Sequence, residues 1–131
     1  MRFLCLAALL ALAFVYFSRG ARPSMDGSIW NVKLKPSSIL SFSRKDTLVF
    51  NEGQVASSAY AAHGFLPAAY AAVHNGERNE DAWNAVAASR QEGTINWEGL
   101  VSGDKIQGTL VWYKADGKVE KLSFAGFRKP T

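Results

Sequence analysis

The chain has 131 residues, carries 15 Lys plus Arg against 11 Asp plus Glu for a net charge of +4, and is 48% apolar. That length allows one domain and leaves no room for a second, catalytic one. A surplus of charge this small argues against a nucleic-acid partner.

Arg2, the apolar run from Phe3 to Phe17 and the small residues Ser18 and Gly20 have the three parts of a secretory signal peptide, with cleavage expected after Gly20. As a helix the run reaches about 22 Å, short of a hydrocarbon core of about 30 Å, so no stable membrane span is expected after cleavage. The expected location is secreted or periplasmic, in a bacterial cell envelope. The organisation reads as signal peptide at 1–20, a flexible polar leader with Pro23 and Gly27 at 21–28, and a β-domain at 29–131. Cys5 lies inside the signal. The exported chain is therefore expected to have no thiol, which excludes disulfides and thiolate metal ligands and leaves hydrophobic packing to stabilise the fold.

In chain order, Trp30, Val32 and Leu34 alternate with Asn31, Lys33 and Lys35 and predict a first strand ending near Pro36. A Ser-rich loop over 36–45 follows. Asp46 to Phe50 alternates again and turns at Asn51-Glu52-Gly53. Gly64 and Pro67 forbid one continuous helix between Val55 and His74, leaving short strands at 54–61 and 67–74. Glu80 to Gln91 is ambiguous: Trp83, Val86, Ala87 and Arg90 have helical spacing, whereas Trp83, Ala85, Ala87 and Ser89 alternate. The flanking Asn75-Gly76 and Glu92-Gly93 turns favour a strand. Three hairpin strands close the chain, over 94–101, 105–114 and 119–127, joined at Ser102-Gly103-Asp104 and Ala115-Asp116-Gly117. Strands beginning near 29, 46, 54, 67, 81, 94, 105 and 118 describe an all-β, eight-stranded antiparallel up-and-down meander. Closing it into a barrel removes its exposed edges. Gly99, Gly108 and Gly126 fall inside strands, as expected of bends or close backbone approach.

The run Gly93-Thr94-Ile95-Asn96-Trp97-Glu98-Gly99, the run from Gly103 to Trp112, Phe124-Ala125-Gly126, Asp46 to Phe50 and Gly64-Phe65 resemble small secreted bacterial proteins of a lipocalin-like or calycin-like type. Trp30 resembles the tryptophan at the base of lipocalin barrels, although one residue more separates it from Gly27. The resemblance spans about residues 29 to 127 and implies a small barrel with an envelope address. It carries over no catalytic residue.

Enzyme activity finds no support. His63 and His74 are the only histidines and have no metal-ligand spacing with Glu77, Glu80 or Asp81. There is no Gly-X-Ser-X-Gly elbow and no phosphate-cradling glycine loop. No cofactor and no metal is expected, and Glu98 reads as a solvated charge. The aromatic set is the unusual resource. Trp30, Tyr70, Trp83, Trp97 and Trp112 are the candidate ligand-binding residues, lining an interior kept open by Ala69, Ala71, Ala85 and Ala87 for a small hydrophobic or amphipathic ligand. The alternative is a structural or protein-interaction module with a solid core, touching a partner through Lys33, Lys35, Arg44 and Lys45 or through the Glu77 to Asp81 loop.

Overall fold

A computed structural model describes residues 25–37 and 42–130. The expected signal peptide, Cys5 and residues 21–24 of the leader lie outside the described residues. The chain forms β1 (Ser28–Pro36), β2 (Arg44–Asn51), β3 (Gln54–Ser57), α1 (Ser58–Ala61), β4 (Ala68–Asn75), β5 (Glu80–Ser89), β6 (Gly93–Ser102), β7 (Lys105–Lys114) and β8 (Val119–Arg128). The eight strands form a closed barrel in sequence order, and every neighbouring pair is antiparallel. Closure comes from β1 meeting β8 over seven residue pairs, from Trp30 opposite Arg128 to Pro36 opposite Leu122.

The two-residue rhythm sets the inside and the outside. In β1 Trp30, Val32 and Leu34 are buried while the lysines between them are exposed. In β6 Ile95, Trp97, Gly99 and Val101 point inward and Asn96, Glu98 and Leu100 outward. Of the ambiguous stretch 80–91, Glu80–Ser89 is a strand and Arg90 and Gln91 belong to the turn after it: β5 buries Trp83, Ala85 and Ala87 and pairs along its length with β6. Tertiary pairing decides this, because an alanine-rich sequence satisfies either period.

Residues 54–61 depart from the expected single strand. β3 ends at Ser57, whose hydroxyl accepts from the Tyr60 N–H (3.2 Å) as the N-cap of α1. The Ser-Ala-Tyr-Ala turn drops Tyr60 into the barrel end, where its ring meets Trp112 (5.6 Å), Trp97 (5.9 Å) and Phe65 (6.1 Å), all edge-on. α1 is therefore a plug, and the connections β1–β2, β3–β4, β5–β6 and β7–β8 lie at its end of the barrel.

Close approach of a neighbouring side chain or backbone accounts for all three strand glycines, Gly126 against the Asn31 carbonyl among them. Gly99 and Gly108 face each other across β6 and β7. A Cβ on Gly99 would lie 2.5 Å from Trp83 Nε1, and one on Gly108 would lie 2.0 Å from the Glu98 carbonyl oxygen and 2.7 Å from the Phe124 ring. Only glycine lets the wall fold this tightly onto the core.

Candidate functional site: an aromatic core and a groove on the outer wall

The five aromatic residues singled out from the sequence all belong to the core; none exceeds 6% exposure. Phe50 lies 4.9 Å from both Tyr70 and Trp83, Trp83 stacks on Trp97 at 6.3 Å, and Phe124 bridges Trp83 (5.9 Å) and Trp97 (5.5 Å). Trp112 belongs to the plug cluster, with Lys114 Nζ 4.6 Å from its ring centroid. Trp30 stands at the opposite end. The structure thus links Tyr70 to Trp83 through Phe50, Trp83 to Trp97 directly and Trp97 to Trp112 through Tyr60, and leaves Trp30 at the other end of the barrel.

Their polar edges differ in a way that alternation cannot reveal. Trp30 Nε1 donates to Ser28 Oγ (2.8 Å), Trp112 Nε1 donates to the Glu92 carbonyl (2.7 Å), and the Tyr70 hydroxyl donates to Asp26 Oδ1 (2.6 Å), which also accepts from the Gly53 N–H. Burial and the Asp26 carboxylate push the Tyr70 phenol well above its ordinary range. Trp83 Nε1 and the Tyr60 hydroxyl are buried with no hydrogen-bond acceptor. Burial likewise pushes the Tyr60 phenol up, to about 12. Ser28 and Met25, placed in the leader by their sequence, are buried, and Ser28 Oγ donates to the Met25 carbonyl.

A groove of about 1270 Å³ runs across the outer wall. Its lining follows two adjacent rungs of the sheet through six strands. One rung carries Ala71, Asn84, Glu98, Thr109, Ser123 and Lys35; the next carries Val73, Ala82, Leu100, Gln107, Ala125 and Lys33. At 4.7–4.9 Å per strand, five steps give a length of about 24 Å. The groove passes over Gly99 and Gly108, where the wall carries no side chain, and it is backed by Tyr70, Trp83 and Trp97, whose rings point the other way into the core. Apolar surface dominates its lining, two ammonium groups stand at the β1 end, and Glu98 is the one carboxylate in it. The sequence held a signal for this groove: outward positions 71, 82, 86, 100 and 125 are Ala, Ala, Val, Leu and Ala, where a solvated strand face normally carries polar side chains.

A second, polar hollow of about 190 Å³ lies at the end opposite the plug, between Trp30, His74, Asp81 and Arg128. His74 is the penultimate residue of β4 and sits opposite Asp81 on β5, with Nδ1 2.7 Å from Oδ1. Among the described residues, no group of three or more His, Cys, Asp or Glu is placed to hold a metal ion.

Asp46 is the buried carboxyl that the sequence reading passed over. It is 5% exposed and accepts from the Thr47 N–H (2.7 Å), the Ala59 N–H (2.9 Å) and the Ser57 hydroxyl, tying β2 to the start of α1. Burial raises its pKa above the ordinary 3.8, against the opposing pull of these hydrogen bonds. Against known proteins, no family model, no curated sequence and no solved structure matches this chain.

Proposed function

We propose that this barrel is a non-catalytic binding protein for a small apolar or amphipathic molecule, working outside the cytoplasm as a relative of the lipocalin-like secreted barrels that its sequence resembles. The observation that carries the reading is the outer-wall groove: long, lined mainly by apolar surface, and bordered at its β1 end by Lys33 and Lys35. Its floor is rigid because the aromatic core packs directly behind it, so a ligand meets a preformed surface and little ordering free energy is lost on binding. The apolar part of the ligand is desolvated along Val86, Leu100 and the alanines, while its polar or anionic end lies beside the two lysines. Tyr70, Trp83 and Trp97 act from behind the wall. Catalysis is left out of the reading because the groove offers neither a histidine nor a paired carboxylate.

The aromatic interior is the second reading, favoured by Trp83 Nε1 and the Tyr60 hydroxyl, two buried donors able to orient a polar group within the barrel. Nile red titrations separate the two. For the groove, fluorescence rises saturably, and Ala125→Trp, which fills the floor without touching the core, weakens binding at least tenfold. Binding that survives Ala125→Trp but falls in Trp83→Phe assigns the interior. Saturable binding by neither route sinks both and leaves the solid interaction module.

A further inference from the structure

We infer that the plug end of the barrel docks on an anionic lipid bilayer. The meander sorts charge between the two ends of the fold. At the plug end stand seven cations, Lys35, Arg44, Lys45, Arg90, Lys118 and Lys121 together with Lys114, against four carboxylates, one of which is the buried Asp46. At the far end stand six carboxylates, Asp26, Glu52, Glu77, Glu80, Asp81 and Asp104, against four cations. Only Arg44 and Lys114 of the plug-end cations have an ion-pair partner among the described residues, and they share it: Glu120, at 3.4 and 3.5 Å.

The placement of these cations works against the fold itself. Lys33 and Lys45 lie directly opposite each other across β1 and β2, and Lys35 is diagonal both to Lys45 on β2 and to Lys121 on β8, all on the outer face. Like charges so placed destabilise a sheet. An anionic surface reverses the sign of that contribution.

Exposed apolar side chains are more numerous at the same end, with Phe127 and Ile29 their counterparts at the far end. Phe42 is 90% exposed and Leu66 73%, and the cross-strand pair Tyr113 and Val119 is also exposed. Phosphates of a nucleic acid would use the lysines but would leave Leu66 and Val119 in water. A bilayer uses both sets, taking the aliphatic and aromatic tips at the headgroup boundary and the cations at its anionic lipids. The far end, net acidic, is repelled from the same surface, so the charge separation also sets the orientation.

The test compares variants of the full chain, so that residues 1–24 contribute equally to every measurement, by cosedimentation with phosphatidylcholine vesicles with and without phosphatidylglycerol. One cation near such a surface is worth about fivefold in partitioning. Reversing three (Lys35→Glu, Lys45→Glu, Lys121→Glu) should therefore lower the phosphatidylglycerol-dependent part at least tenfold. The matched far-end variant (Arg78→Glu, Lys105→Glu, Lys129→Glu) should lower it by less than threefold, and circular dichroism on both establishes that the barrel is intact. Phe42→Asp with Leu66→Asp, which leaves every cation in place, should weaken binding to the same vesicles severalfold. Equal losses from the two charge-reversed ends overturn the inference. So does a chain that ignores phosphatidylglycerol yet binds duplex DNA or an acidic protein.

Discussion

Asp46 offers the sharpest test of how this barrel end is held. Replacing it by alanine removes the acceptor for the Thr47 and Ala59 N–H groups and for the Ser57 hydroxyl. The hydroxyl can rotate toward water, whereas the two amides cannot. At about 1–3 kcal/mol for each donor left without an acceptor, Asp46→Ala should cost about 3 kcal/mol and loosen α1 with its Tyr60 plug. Asp46→Asn keeps one oxygen for both amides and turns a donor to Ser57 Oγ, so it mimics the protonated acid. Because burial raises the folded pKa above 3.8, the stabilising contribution of the Asp46 carboxyl is fully present below that value and is lost as pH rises through the folded pKa. Urea unfolding from below pH 3.8 to neutrality should then show the wild type losing ground to Asp46→Asn as pH increases, with the asparagine variant the more stable near neutrality. A wild type that gains on Asp46→Asn over this range would mean that the three hydrogen bonds outweigh desolvation, and would refute the reasoning.

Trp30→Phe should destabilise more than Trp83→Phe, by about 1–2 kcal/mol, because only the first loses a made hydrogen bond while the second relieves a buried N–H that has no acceptor; urea midpoints in the reverse order would count against the packing described. Gly108→Ala places a methyl 2.0 Å from a backbone oxygen that cannot swing away, so thermal melting should show a loss of about 3 kcal/mol or failure to fold, whereas alanine at the exposed Gly76, with nothing within 4 Å, should be nearly neutral. The Tyr60 and Tyr70 phenols are raised in the fold, so the stability they lend is complete below about 10 and is lost as pH rises, for Tyr60 through about 12. Ultraviolet titration of phenolate should accordingly find two tyrosines that ionise together with alkaline unfolding, and neither should do so in the Tyr60→Phe, Tyr70→Phe double variant.

Much of this protein was written in its period of two. Alternation alone puts Trp30, Val32 and Leu34, or Ile95 and Trp97, on the inner face, because a strand has only two faces and one of them must leave water. Turn pairs such as Asp116-Gly117 fixed where the hairpins reverse, and eight strands without a covered edge pointed to closure. Tertiary structure decided what local pattern leaves open. Glu80–Ser89 became a strand because β4 and β6 flank it on both sides. Ser58–Ala61 became a helix because the open barrel end accepts Tyr60, and the long-range bonds from Asp46 hold it there. The groove arises only when six strands bring their outward rungs into register, and the charge separation only when the meander sends alternate turns to opposite ends. Sequence spacing encodes neighbours along a strand, but neighbours across strands depend on register and closure, which are properties of the whole chain.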